Sequence, residues 1–196
     1  GSAIGVAAGA TDPDGDRLAY SLALDADGRF AIDSVSGVLR VADGALLDHE
    51  AAASHLVRVL AVDGRGLESF RDFTIAVTDV NEAPTTLLDI DAAANSVTED
   101  AAAGTAVGIT ALATDPDGDS LVYSLTDDAE GRFAMDPATG VVTVATAGLF
   151  DIQVTTTHDI TIRAEGEDGL MFERMFVITV VGVEDTGGDL VEVTVR

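Results

Sequence analysis

Residues 11–16 read Thr-Asp-Pro-Asp-Gly-Asp, and the same six residues recur at 114–119, 103 positions later. The same offset extends outward from the hexapeptide: residues 1–83 align with 104–186 without a gap, and more than a third of the aligned pairs are identical. Chance does not produce such an alignment, so the chain contains an internal repeat. A repeat of about 103 residues is long enough to enclose a hydrophobic core of its own.

The repeat predicts two tandem domains, residues 1–84 and 85–196, with a linker near Thr78–Leu87. Residue 1 aligns with Gly104, so the first repeat has no counterpart of residues 95–103 and is expected to lack an N-terminal strand. We therefore expect the chain to be a segment of a longer tandem array.

Apolar residues alternate with other residues in several short runs, which is the pattern of strands with one buried face. Clusters of Gly, Asp and Pro separate these runs at short intervals, and no segment sustains a helical period. About seven short strands per 100 residues predict an all-β chain made of two β-sandwiches. The alternating runs are Leu18, Tyr20 and Leu22; Val57, Val59 and Ala61; and Phe73, Ile75 and Val77.

The composition excludes several functions. Ten basic residues stand against 35 acidic ones, a net charge of −25, which makes nucleic acid and anionic lipid poor partners. No apolar run approaches the length of a membrane span, and cysteine is absent, which excludes disulfides and thiolate metal sites. No nucleophile elbow or phosphate loop occurs, so enzyme activity is not expected. The spacing of His49, His55 and His158 does not indicate zinc, and surface exposure is expected for all three.

Acidic residues cluster at three separated places: Leu47–Glu50, Asp79–Pro84 and Asp115–Asp119, the last preceded by Glu99. Calcium takes six to eight oxygen ligands, and carboxylates two positions apart on a loop can both turn toward one ion. Asp-Pro-Asp-Gly-Asp also suits a simple solvated turn, so the sequence leaves both interpretations open. An EF-hand is excluded, because its twelfth ligand position falls on Ala23 and Thr126.

In their order along the chain, these motifs resemble the extracellular cadherin repeat, in its bacterial form. That family carries a Glu, then Asp-x-Asp, Leu-Asp-x-Glu, Ala-x-Asp and a closing Asp-x-Asn before Pro. The resemblance covers nearly the whole chain. The matching residues are Glu99 for the first motif; Asp12 with Asp14, and Asp115 with Asp117, for the second; Asp48 with Glu50 for the third; Asp63 for the fourth; and Asp79 with Asn81 for the fifth.

The resemblance implies Greek-key sandwiches of about seven strands, with calcium held between successive modules. The implied ligands at the junction are Asp48 and Glu50 of the base, Asp79 and Asn81 of the linker, and Asp115 and Asp117 of the next module, with Glu82 and Asp119 beside them. Asp12, Asp14 and Asp63 would form a half-site at the other end of the first repeat. The outer end of the second repeat departs from the pattern at Gln153, Gly182 and Glu184, so weak binding or none is expected there, and Glu99 would be a remnant.

The function that the resemblance implies is a calcium-stiffened extracellular module of a bacterial secreted or surface adhesin. Its partners would be Ca²⁺ and an exopolysaccharide or another cadherin-like repeat. Tyr20 and Tyr123 are expected to be buried in strands, so any glycan contact would be polar or mediated by calcium. The alternative is a structural spacer that calcium stiffens and that binds no further ligand.

Overall fold

The computed structural model describes residues 3–183. The chain divides into two compact units, Gly1–Asn81 (unit 1) and Glu82–Arg196 (unit 2), so the division falls three residues before the boundary expected after residue 84. Within the described residues the regular structure is β-strand, apart from one 3₁₀ turn at Gly44–Leu46. The expected all-β fold class is therefore confirmed.

Unit 1 contains six strands in two three-stranded sheets. One sheet has the order β1-β4-β3 and the other β2-β5-β6, and every pairing in both is antiparallel. The strands are β1 (Ala3–Ala7), β2 (Ala19–Leu24), β3 (Phe30–Ile32), β4 (Val38–Val41), β5 (Ser54–Val62) and β6 (Glu68–Ala76).

Unit 2 contains eight strands within the described residues, in two four-stranded sheets of order β10-β13-β14-β8 and β11-β12-β9-β7. The offset of 103 maps β9 to β14 onto the six strands of unit 1, whereas β7 and β8 have no counterpart among the described residues of unit 1. The strands are β7 (Thr85–Asp89), β8 (Ser96–Thr98), β9 (Ala106–Thr114), β10 (Val122–Asp127), β11 (Phe133–Met135), β12 (Val141–Val144), β13 (Thr157–Glu165) and β14 (Met171–Val181).

The two additional strands enlarge the core of unit 2. Residues that are buried there have partly buried counterparts in unit 1: Ile178 and Phe176 of β14 correspond to Ile75 and Phe73 of β6. The strand β8 pairs in parallel with β14 and places Val97 in this core. The hydrophobic core of unit 1 is accordingly smaller, and it centres on Phe30, Leu39, Val57 and Val59.

A turn that contains Gly28 and Arg29 precedes β3, and the repeat places the same turn before β11. Ala26, Asp27 and Gly28 all have positive φ angles, and Phe30 then enters the core. The guanidinium of Arg29 stabilises the turn, because it donates hydrogen bonds to the carbonyl oxygens of Ala26 and Leu46, at 2.9 and 2.8 Å. Arg29 therefore has a structural role.

Two expectations about side-chain burial need correction. Tyr123 is buried as expected, but Tyr20 is only half-buried, because unit 1 has no described counterpart of β7 to cover it. The expectation that the histidines are exposed is wrong: His49, His55 and His158 are all half-buried. His55 and His158 occupy aligned positions and pack edge-on against Phe30 and Phe133.

Candidate metal centre

In unit 1, an acidic loop between the 3₁₀ turn and β5 carries Asp48 and Glu50. Asp48 shapes this loop, because its Oδ1 accepts a hydrogen bond from the Ala51 amide at 2.9 Å and its carbonyl oxygen accepts one from the Ala52 amide at 3.0 Å. A short side chain that binds the backbone just ahead of it favours a tight turn. The following Glu50 is left exposed to solvent at the edge of the unit.

Two hydrogen bonds hold this loop against the chain that leaves β6. The Ala53 carbonyl oxygen accepts one from the Val77 amide, and the Val77 carbonyl oxygen lies 2.9 Å from Nδ1 of His49. As a result, one potential ligand atom each from His49, Glu50 and Asp79 lies within 4.8 Å of the others. The structure therefore brings Glu50 and Asp79 together within unit 1, while Asn81 is exposed two residues further on.

His49 is the residue that sequence reasoning missed. Its spacing from the other histidines carried no metal signal, and its contact with Val77 joins residues 28 positions apart. The available signal was its position inside the Leu-Asp-x-Glu motif. Calcium prefers oxygen ligands, so an imidazole in this place suits positioning better than ligation.

In unit 2, Asp115 organises the second acidic loop. Its Oδ1 accepts hydrogen bonds from the amides of Asp117 and Asp119, at 3.0 and 3.3 Å, which leaves its other carboxylate oxygen outside the turn. Asp12 does the same in unit 1 with the amides of Asp14 and Asp16, at 2.8 and 3.1 Å. The turn and ligand interpretations of the hexapeptide are therefore compatible, since one oxygen can serve each purpose.

Asp117 provides the test of whether the residues fit a cation. Its Oδ2 accepts a hydrogen bond from the Glu82 amide at 2.8 Å. Its Oδ1 is buried and has no hydrogen-bond partner among the described residues. A buried carboxylate oxygen without a partner is costly, and a bound cation removes that cost. The residues present therefore fit a calcium ion, whose preferred ligands are carboxylate and carbonyl oxygens.

The loop of unit 1 already holds a positive charge. The guanidinium of Arg65 lies 3.0 Å from a carboxylate oxygen of Asp14 and 3.7 Å from one of Asp16. The aligned residue in unit 2 is Asp168, which reverses the charge at this position. Asp63 shapes the turn that carries Arg65: amide hydrogen bonds, above all from Leu67, lower the pKa of its carboxyl below the ordinary value. Arg65 therefore competes with any cation for the unit 1 loop.

Glu99 lies at the opposite end of unit 2. Its Oε1 accepts a hydrogen bond from the Val183 amide at 3.1 Å, beside Gly182, which aligns with Asp79 and contributes no carboxylate. Asp151 uses its Oδ1 to accept the Gln153 amide. Glu184, which aligns with Asn81, lies outside the described residues.

Comparison with known proteins gives cadherins and protocadherins among the relatives, although no protein-family model matches the chain. The chain is 33% identical over 127 residues to cadherin-related family member 1a of Danio rerio, an alignment that covers 59% of this chain and 15% of the relative. It is 32% identical over 143 residues to human protocadherin Fat 4, which covers 70% of this chain and 3% of the relative. The chain thus spans a small part of the length of these relatives.

Solved structures of cadherins and protocadherins also resemble this chain. The crystal structure of mouse cadherin-23 EC22-24 matches with a TM-score of 0.60 and 30% identity, covering 85% of this chain and 53% of that one. Form II of human protocadherin-24 EC1-2 matches in fold with a TM-score of 0.65 and 20% identity, covering 88% and 85%. In sequence and in fold, the chain therefore consists of cadherin-like domains.

Proposed function

We propose that this chain is a calcium-binding module of an extracellular or cell-surface adhesion protein. The observation that carries the calcium assignment is Asp117, whose Oδ1 is buried without a hydrogen-bond partner while Oδ2 is fixed by the Glu82 amide. Among the described residues no helix has the length and apolarity to span a membrane. The likeness to cadherins supports the extracellular placement and the adhesive role.

Each unit would contribute its own set of ligands. In unit 1 the set is Glu50 and Asp79, which lie close together, with Asp48 and Asn81 beside them. In unit 2 the set is Asp115 and Asp117, with Glu82 and Asp119 beside them. That the two sets share ions stays a prediction from the sequence, and so does ligation by Asp63 and Glu99. The sequence also predicted ligation by Asp12 and Asp14, but the Arg65 guanidinium beside Asp14 and Asp16 opposes it.

The physical basis is the mutual repulsion of the carboxylates. Ionised carboxylates within a few ångströms of one another destabilise a loop unless a divalent ion neutralises them. Extracellular calcium modules bind with dissociation constants of about 10⁻⁴–10⁻³ M, so extracellular calcium would fill such sites and the low calcium of the cytosol would not. Removing calcium is therefore expected to loosen the loops that carry Glu50 and Asp117.

Calcium titration by calorimetry tests the assignment with a matched pair of double variants. Asp115→Ala with Asp117→Ala removes the ligands of unit 2, and we expect fewer bound ions per chain. Asp12→Ala with Asp14→Ala changes the aligned positions in unit 1, where Arg65 already neutralises the loop, and the stoichiometry should hold. If the first double variant binds as many ions as the unmodified chain, the assignment is wrong.

The calcium sites do not identify the macromolecule that the module binds. Tyr20 and Tyr123 both use their hydroxyl groups to accept hydrogen bonds from backbone amides, of Ala10 and Ala113. The likeness to cadherins supports another cadherin-like repeat as the partner. Acidic polysaccharide and bacterial origin stay predictions from the sequence, and a glycan array with and without calcium tests the first. A calcium-stiffened spacer would bind neither class of partner.

A further inference from the structure

One of the two sheets of unit 2, that of order β11-β12-β9-β7, carries almost no charge. Asp89 is the only ionisable residue in its four strands, although 23% of the residues of the whole chain are charged. The Asp89 carboxylate is turned back to the backbone, because its Oδ1 accepts hydrogen bonds from the amides of Asp91 and Thr110, at 3.0 and 3.1 Å. The side of this sheet that faces solvent is therefore uncharged.

The residues on that outer side are identified by the buried ones beside them. Leu87 of β7, Ile109 of β9 and Val142 of β12 are buried, and successive side chains of a strand point to opposite faces of its sheet. We define the neutral face as the outward residues of the four strands: Leu88 of β7; Ala106, Thr110 and Leu112 of β9; Ala134 of β11; and Val141 and Thr143 of β12.

The pairing of the strands joins these residues into one continuous surface. Leu88 and Leu112 lie directly opposite each other, and they are 50% and 45% exposed. Opposite side chains in an antiparallel pair are in contact, so the two leucines form a single apolar ridge. The remaining cross-strand pairs of the neutral face are Thr110 with Val141, Thr143 with Ala106, and Thr143 with Ala134.

The other sheet of unit 2 has a charged outer side. There Arg163 of β13 makes an ion pair with Glu173 of β14 at 2.8 Å. Asp159 and Glu165 lie on the same side of β13 as Arg163, because they alternate with the buried Ile160, Ile162 and Ala164. A solvated sheet face ordinarily carries such polar and charged residues, so the neutral face departs from the ordinary pattern.

The neutral face is not a consequence of the repeat. The residue of unit 1 that aligns with Thr143 is Arg40, which is exposed, and the residue that aligns with Leu112 is Gly9. Unit 1 therefore has a charge where unit 2 has a hydroxyl, and no side chain where unit 2 has an exposed leucine. An exposed apolar surface that the fold does not require indicates a contact surface.

The net charge of −25 decides which partner suits this surface. Two copies of the chain repel each other wherever their acidic surfaces meet, and a cationic partner would be drawn to those acidic surfaces and away from a neutral one. Two neutral faces can meet without bringing like charges together. A symmetric contact between identical surfaces also requires a surface that is complementary to itself, which an uncharged face is in charge.

We propose that two copies of the chain associate through their neutral faces, sheet against sheet, in a two-fold symmetric dimer. Sheets that pack face to face lie about 10 Å apart with interdigitating side chains, so the leucine ridge of each copy is covered by the other. Four strands are roughly 20 Å wide, which places the contact at the small end of specific interfaces and predicts weak association. The proposal rests on the adhesive role proposed above, and it names the partner and the surface.

Sedimentation velocity of the full chain in calcium tests the proposal with a matched pair of variants. Leu112 and Val177 both lie in central strands of unit 2 and are 45% and 46% exposed, but Val177 belongs to the other sheet. The unmodified chain is expected to form dimers between about 10 μM and 1 mM. Leu112→Glu should weaken dimerisation by about 10-fold or more, because it places an unpaired carboxylate of each copy in the contact, and Val177→Glu should leave it unchanged.

A second variant guards against a folding defect in Leu112→Glu. Thr143→Arg introduces the residue that unit 1 already carries at the aligned position, so the fold should tolerate it, and it should also weaken dimerisation. Calorimetry should give both variants the calcium stoichiometry of the unmodified chain. Loss of the dimer with unchanged calcium binding then separates this surface from the calcium sites.

Salt and mixing test the geometry of the contact. Added NaCl should strengthen the dimer, because it screens the repulsion between two acidic chains and a neutral contact loses nothing. Labelled Leu112→Glu should form few mixed dimers with the unmodified chain, since both copies supply the same face. The proposal is overturned by an unmodified chain that stays monomeric up to about 1 mM, by species larger than a dimer, by a dimer that salt weakens, or by equal weakening from Leu112→Glu and Val177→Glu.

Discussion

Nδ1 of His49 lies 2.9 Å from the carbonyl oxygen of Val77, a contact that fastens the acidic loop before β5 to the residues that follow β6. Because Glu50 follows His49 directly and Asp79 lies two residues beyond Val77, this contact sets the separation of the two carboxylates. This hydrogen bond is therefore positioned to organise the two carboxylates that we propose as calcium ligands of unit 1.

Replacing His49 by Leu is expected to weaken calcium binding without removing a carboxylate. One hydrogen bond contributes about 0.5–1.5 kcal/mol, so the affinity of the unit 1 ligands should fall by roughly 2- to 10-fold in a calorimetric titration. His49→Gln keeps a donor that can reach Val77 and should bind calcium more nearly as the unmodified chain does. Equal affinity for the Leu variant and the unmodified chain would show that the contact does not organise the site.

Removing Arg65 is expected to open the unit 1 loop to cations. Arg65 and Asp14 are largely exposed to solvent and Asp16 is half-buried. Exposed ion pairs contribute only about 0–1 kcal/mol, so Arg65→Ala should fold normally. With the guanidinium gone, the carboxylates are left unneutralised, and calcium should raise the melting temperature of the variant by more than it raises that of the unmodified chain. An unchanged calcium-induced shift would mean that Arg65 does not compete with calcium for this loop.

Leu87→Ala is expected to destabilise unit 2 by about 2–5 kcal/mol, because truncating a fully buried leucine leaves a cavity in the core. The neighbouring Leu88→Ala is the matched control: that side chain is half exposed, and the expected cost is much smaller. Amide hydrogen exchange of the central residues of β13 reports on unit 2 separately from unit 1. Similar protection in both variants would contradict the role given to Leu87.

The sequence predicted the parts of the structure that depend on local pattern. Alternation located β5, and Tyr123 is buried in its strand as expected. The sequence placed Leu87 in the linker, whereas the structure pairs it with Ala113 of β9. Nothing in the local sequence distinguishes a linker residue from one that pairs with a strand more than twenty residues away. The contact of His49 with Val77 and the pairing of Arg65 with Asp14 were missed for the same reason: both join residues that are distant in sequence and close only in the fold.

Acidification from pH 8 toward pH 5.5 is expected to destabilise unit 2 through His158. Burial between Phe133 and Phe150, helped by the nearby charge of Arg132, lowers the pKa of this imidazole below its ordinary value of about 6.5. Its Nε2 is buried with no hydrogen-bond partner among the described residues, so a proton added there would have no acceptor.

The direction in which the stability of unit 2 changes with pH follows from proton linkage. Above the ordinary pKa the imidazole is neutral in both the folded and the unfolded chain, and the stability of unit 2 does not depend on it. As the pH falls below that value, the unfolded chain takes up a proton that the folded chain does not, and stability is lost until the lowered pKa is passed. Hydrogen exchange of β13 amides, corrected for intrinsic rates, should therefore show lower protection at pH 5.5 than at pH 8. His158→Phe keeps the aromatic packing and removes the titration, so it should lose less protection over this range, and an equal loss in the two proteins would exclude His158 as the cause.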